Sequence, residues 1–145
     1  MEIFLTVVLI IAAIIAAYIT VATNTVKIKK IPVSSPKIPT EFDGVKIALL
    51  SDLHDAKLSG YSKKKLLEKT AEIKPDFIFL GGDMHEIRKK DKKFFSLLDD
   101  LKKIAPLYYV DGNHDARLKK YPDYKNYLAE LEKRAENLHG KTSLC

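Results

Sequence analysis

The hydrophobic positions of this chain fall into two regimes. Residues 3–22 form an unbroken apolar stretch without a charge, in which Thr6, Tyr18 and Thr20 are the only polar relief. Beyond it, short apolar runs at 45–50, 77–80 and 107–110 alternate with longer stretches at 62–73 and 91–104. In the second of these, Phe94, Phe95, Leu97, Leu98, Leu101 and Ile104 recur at helical spacing, and Pro106 ends it. Ser62 reads as the N-cap of the first helix and Pro75 follows its end. The order is βαβαβ, which predicts parallel strands buried on both faces and joined by right-handed crossovers. A last amphipathic helix is expected over 124–137, and the compact domain is expected to begin near Phe42. Ahead of it, 26–31 reads as a strand and 32–39, with three prolines and two serines, as an extended linker.

The first regime needs its own explanation. A twenty-residue helix rises about 30 Å, the thickness of a bilayer's hydrocarbon core, so the stretch reads as a transmembrane span. A cleaved signal peptide, cut after Ala22, is the competing reading. Its apolar region is usually about 7 to 15 residues long and follows positive charge, whereas only Met1 and Glu2 precede this one. A buried core helix is disfavoured, because a small domain has nothing large enough to enclose an all-round apolar helix. Lys27, Lys29 and Lys30 lie on the C-terminal flank, which under the positive-inside rule keeps the soluble part cytoplasmic. The same lysines alternate with Val26, Ile28 and Ile31 as the outward face of a strand would, and both readings can hold together.

Composition refines this picture. With 145 residues, 46% apolar and 30% charged, the chain has room for one folded domain and an appendage. Glu2 is the only charge in the first 25 residues, so the remainder carries 25 basic and 18 acidic residues, a net of +7. Nucleic acid, an anionic lipid surface or a phosphorylated substrate would each suit that balance. Runs such as 63–65, or Arg88, Lys89, Lys90, Lys92 and Lys93, read as solvated helix faces. Cys145, the one cysteine, excludes an intramolecular disulfide and a cysteine-cage zinc site.

Each of the three apolar runs ends in a short polar cluster: SDLH at 51–54, GGD at 81–83 and GNHD at 112–115. Ligand crevices in open parallel sheets form at the carboxyl ends of the strands, so Asp52, His54, Asp83, Asn113 and His114 are delivered towards one place. Carboxylate, amide oxygen and imidazole suit borderline divalent metals such as manganese, iron or zinc better than a hard calcium cage. Asp52 and His54, one residue apart, can reach one ion, and Asp83 on the neighbouring strand is placed to bridge it to another. Glycine at 81, 82 and 112 suits loops that turn sharply against a ligand.

DxH, then GGD with its aspartate 29 residues after His54, then GNHD from Gly112, resembles the calcineurin-like metallophosphoesterase family over 44–115. The apolar N-terminus, the proline-bearing linker and the FDG turn at 42–44 resemble a membrane-anchored, phosphodiesterase-like subgroup of it. The resemblance implies a fold that is the N-terminal βαβαβ half of a two-sheet α/β sandwich, preceded by one transmembrane helix. It implies two divalent ions, with Asp52 and His54 on the first, Asp83 bridging and organising the nucleophile, and Asn113 on the second. His114 then contacts the phosphate and assists leaving-group departure. The implied chemistry is phosphate-ester hydrolysis by a water that two ions about 3.5 to 4 Å apart activate. Asp55 and Asp115 read as caps of the following helices, and His85 has no counterpart in the motif. Arg117 offers a charge-assisted contact to a phosphate oxygen, against the alternative of a solvated loop arginine.

The family pattern continues with an isolated histidine and a GHxH motif, but only His139 follows GNHD here. With Asp83 and Asn113 as its only protein ligands the second ion is expected to bind weakly. One sheet face and edge are expected to be open, with poor stability or a need for a partner. The domain plan is therefore a membrane helix over 1–25, strand and linker over 26–41, and a truncated metallophosphoesterase domain over 42–145. The expected function is a membrane-anchored phosphoesterase acting on a phosphorylated small molecule or lipid. The alternative is a catalytically incomplete metal- or phosphate-binding membrane protein. No specific nucleic-acid partner is expected, because no aromatic–basic interleaving supports one.

Overall fold

A computed structural model describes residues 1–24, 26–53, 60–84, 91–113, 117, 119–120 and 122–138, the side chains of 21–24 and 91 excepted. Its elements are α1 (Glu2–Asn24), a 3-10 turn (Thr40–Phe42), β1 (Ile47–Leu50), α2 (Gly60–Ile73), β2 (Phe77–Leu80), α3 (Asp91–Lys102), β3 (Leu107–Tyr109), α4 (Tyr124–Glu132) and β4 (Glu136–Asn137). Among the described residues the strands form one parallel sheet in the order β1-β2-β3-β4. The α/β class and the strand–helix alternation expected from sequence are present.

The sheet is covered on one side. Ala48, Ile78, Leu80, Leu107 and Tyr109 point to that side, where they meet Leu66 of α2, Leu97, Leu98 and Leu101 of α3, and Tyr127 and Leu131 of α4. Phe94, Leu97, Leu98 and Leu101 stand at i, i+3, i+4 and i+7, on one face of the helix, and all are buried. Removing a side chain of this size from water contributes about 1.5–3 kcal/mol, so this stripe is a main source of cohesion. Phe94 stacks on Tyr127, Phe95 packs against the same ring, and the Arg134 guanidinium lies over the ring of Phe95. Between α2 and α3, Lys63 Nζ pairs with Asp100 at 2.6 Å and donates to Ser96.

The opposite face corrects the expectation of strands buried on both sides. Ile47 and Leu49 are 52% and 68% exposed, and Phe77, Phe79 and Tyr108 are only partly covered. The aromatic rings shelter one another, with Tyr108 edge-on to both Phe77 and Phe79. Continuous apolar runs gave no warning, because they read alike whether one face or two are packed. The bare face itself was expected from the missing continuation of the family pattern.

Several boundaries also shift. Residues 26–31 form no strand; Val26 packs against the core while Lys27 and the residues after it are exposed. A strand needs a ladder partner, and among the described residues β1 pairs only with β2. β1 starts at Ile47 rather than residue 45, since the Val45 amide closes a turn to Phe42 O at 3.1 Å and the Lys46 amide bonds Asp76 Oδ2 at 2.8 Å. Ser62 is not an N-cap: α2 already runs from Gly60, and Ser62 is buried in its first turn. α3 stops at Lys102, ahead of Pro106, whose carbonyl accepts from the Ile78 amide. The last helix ends at Glu132, and Glu136–Asn137, expected to be helical, instead joins β3 as a parallel edge strand.

Residues 2–24 form a single helix whose described apolar side chains are exposed all round, long and apolar enough to cross a membrane. Thr6 and Thr20 return their hydroxyls to the carbonyls four residues earlier, which satisfies them within the helix.

Candidate metal and phosphate site at the strand ends

The three polar clusters lie at the carboxyl ends of β1, β2 and β3, and backbone hydrogen bonds hold these ends together. The Gly81 amide donates to Leu50 O at 2.7 Å, the Asp52 amide to Gly82 O at 3.3 Å, and the Val110 amide to Leu80 O at 3.1 Å. The ladder therefore runs past the strands and fixes where each loop departs.

Glycine lets the loops close on one another. A β-carbon on Gly82 would stand 2.5 Å from the Cα and N of Gly112, and Gly82 adopts φ +83. At Gly112 a β-carbon would collide with Asp83 Oδ1 and lie 2.7 Å from its amide nitrogen. The Asp83 carboxyl thus rests on the backbone that immediately precedes Asn113.

Asp52 and Asp83 share an unusual backbone. Their φ angles are +54 and +51, and Lys74 is the other non-glycine residue with positive φ among those described. This region costs an L-residue roughly 1–2 kcal/mol. Aspartate tolerates it better than most, and such strain concentrates where a side chain has to be aimed.

The structure places Asp52, Asp83 and Asn113 at three adjacent strand ends. His54 and His114 lie outside the described residues, as do Asp55, His85 and Asp115. Arg117 is exposed. Asp111, not singled out by the motif reading, is half-buried beside Asn113, with Lys119 Nζ at 3.8 Å. Its signal was an acidic residue directly after an apolar run. Below the strand ends, Gly82, Met84, Tyr109, Asp111 and Tyr124 help line a cavity of about 20 Å³. That is room for one water and for no larger ligand.

By donor chemistry, two carboxylates and one amide oxygen fit a divalent cation. Among the described residues no group of three or more histidine, cysteine, aspartate or glutamate side chains is close enough to hold one. The described donors by themselves therefore do not make up a metal-holding group.

The calcineurin-like phosphoesterase family model matches residues 45–143, and the chain belongs to that family. A transmembrane protein with metallophosphoesterase domain from Danio rerio is 28% identical over 137 residues, covering 91% of this chain and 29% of that protein. Uncharacterized metallophosphoesterases from two Helicobacter pylori strains, ATCC 700392 / 26695 and J99, are 33% identical over 91 residues, covering 61% of this chain and 24% of theirs. The chain thus spans 24–29% of the length of these relatives.

Family membership carries the general expectation of phosphoester hydrolysis at a metal centre. It brings no substrate and no metal identity with it.

Proposed function

We propose that this chain is the membrane-anchored, metal-binding portion of a phosphoesterase, with α1 in the bilayer and residues 42–145 forming the phosphoesterase part. The observation that carries the reading is the pair of positive-φ aspartates, Asp52 and Asp83, at adjacent strand ends, with Asp83 seated on Gly112 beside Asn113.

Asp52, His54, Asp83 and Asn113 would hold two divalent ions, of manganese, iron or zinc. When bound, these supply Lewis-acid activation of water and neutralise charge on the phosphate. Asp83 would orient the attacking water. Asn113 and Arg117 hold phosphate oxygens, and His114 gives its proton to the ester oxygen as the phosphorus–oxygen bond breaks. The substrate is a phosphorylated small molecule or a lipid. The basic flank Lys27, Lys29 and Lys30 favours a cytoplasmic position for the domain.

A second reading rests on one specific observation: among the described residues no group of three or more histidine, cysteine, aspartate or glutamate side chains lies close enough to hold a metal ion. In it, the chain binds a metal ion or phosphate without turnover.

One experiment separates the two. Full-length chain in detergent is loaded with manganese, its stoichiometry is read by electron paramagnetic resonance, and hydrolysis of bis-p-nitrophenyl phosphate is followed alongside. Binding with turnover that falls about 100-fold in Asp83→Asn supports the phosphoesterase. Binding without turnover supports the second reading, and wild-type binding no better than that of Asp52→Asn/Asp83→Asn overturns both.

A further inference from the structure

The end of the sheet opposite the carboxylates carries a feature that phosphate-ester chemistry does not use. Between the segment following α1 and the start of β1 runs a groove lined by Ile28, Lys29, Ile31, Lys46, Ile47 and Ile73, among others. Its walls are amphipathic. Lys29, Lys30 and Lys46 are exposed, as are Ile28, Ile31 and Ile47, and Lys27 adjoins them along the chain.

Acidic groups at this end leave an excess of positive charge. Glu72 lines the groove, and the Asp76 carboxylate takes the backbone amide of Lys46 rather than its ammonium group. Among the described residues none of the four lysines is held in an ion pair, whereas lysines of α2, and Lys133 just past the end of α4, are paired with neighbouring glutamates.

Covalent geometry fixes where the groove can be. Lys27 follows Asn24, the last residue of α1, by three residues and Lys30 by six. At no more than about 3.6 Å per residue they lie within about 11 and 22 Å of the helix end. The headgroup layer on each side of a bilayer is roughly 5–7 Å thick. Val26 packs on the domain core, and residues after it line the groove together with Lys46 and Ile47.

We propose that this groove binds the headgroup of an anionic phospholipid, with Lys27, Lys29, Lys30 and Lys46 around the phosphate and Ile28, Ile31 and Ile47 against the glycerol and upper acyl region. The inference rests on the membrane reading of α1 but not on the phosphoesterase reading. Lysines this close to an anionic surface each contribute about 1 kcal/mol. It also sets the domain's orientation, with the N-terminal edge of the sheet at the bilayer. The carboxylates then stand beyond β1, four residues and about 13 Å further out.

The test uses full-length chain carrying Cys145→Ser and Ile28→Cys labelled with a fluorophore, reconstituted into phosphatidylcholine vesicles. Spin-labelled phosphatidylglycerol is titrated in, with spin-labelled phosphatidylcholine as the reference. Quenching by phosphatidylglycerol at several-fold lower mole fraction is expected, weakened about fivefold in Lys46→Gln and unchanged in Lys64→Gln, which lies outside the groove. Lys46 decides the matter, because it does not flank the helix and so leaves insertion unaltered. Equal quenching by both lipids, or a Lys46→Gln chain indistinguishable from its parent, overturns the proposal. A chain that fails to float with the vesicles overturns the membrane reading together with it.

Discussion

The Cα of Gly112 lies against the carboxyl group of Asp83, so that a β-carbon at residue 112 would strike Oδ1 and crowd the Asp83 amide. Neither side has room to retreat, since Asp83 holds φ +51 and Gly112 also abuts Gly82.

Gly112→Ala is therefore expected to destabilise the domain by about 1–3 kcal/mol, the usual cost of overpacking. Gly44→Ala is the comparison. That residue has open space around it and only its φ of +82 to lose, which costs about 1–2 kcal/mol. Urea unfolding of the detergent-solubilised chain reads both, and metal binding reads whether Asp83 has moved. If Gly112→Ala keeps wild-type stability and metal affinity, the close approach of the two loops is wrong.

The two faces of the sheet should respond differently to truncation. Leu98→Ala, at a fully buried position of α3, is expected to cost about 2–5 kcal/mol. Leu49→Ala, 68% exposed on the bare face, should stay within roughly 0.5 kcal/mol of the parent. A large loss at Leu49 under the same denaturation protocol would show that the face is covered in solution.

Tyr109 gives a prediction with a defined pH window. Its side chain is 4% exposed, and among the described residues its buried hydroxyl has no hydrogen-bond partner. Burial, aided by the charges of Glu132 and Asp111, pushes its pKa up from 10.0 to about 12, while the nearby Asn137 side chain, outside hydrogen-bonding geometry, works the other way. The folded state thus keeps a proton that the unfolded chain gives up. The stability this confers is complete below the ordinary tyrosine range and is lost as pH rises through about 12. Tyr109→Phe should be neutral or slightly stabilising at pH 7, because it removes an unsatisfied buried group. It should also flatten the alkaline limb of the stability profile relative to the parent, read by urea midpoints across that range. An unchanged alkaline limb would mean that the hydroxyl is solvated.

The parts of the fold legible in sequence were those with a period or a length. The stripe from Phe94 to Leu101, the runs at 77–80 and 107–110, and the apolar segment from residue 3 each announced an element by pattern alone. β4 was invisible because two residues carry no period, and Glu136 and Asn137 join the sheet only through what β3 offers beside them. The segment at 26–31 misled for the complementary reason. It alternates like a strand but among the described residues has no neighbour to complete its ladder, and its isoleucines stay exposed. For the site, motif spacing located Asp52, Asp83 and Asn113 at the strand ends. It could not show that the aspartates sit at positive φ, nor that two glycines are needed so that one loop can lie on the next.

Positive φ at residues 52 and 83 also bears on how this chain would respond to engineering. Glycine relieves that conformation outright and asparagine tolerates it while shedding the charge, so either residue is a ready answer to a screen for heat resistance. Both answers delete a carboxylate from the candidate metal site. Libraries sorted for thermal tolerance should therefore converge on these two codons and lose metal affinity as they do, whereas libraries sorted for metal affinity should hold them fixed and gather their stabilising changes elsewhere.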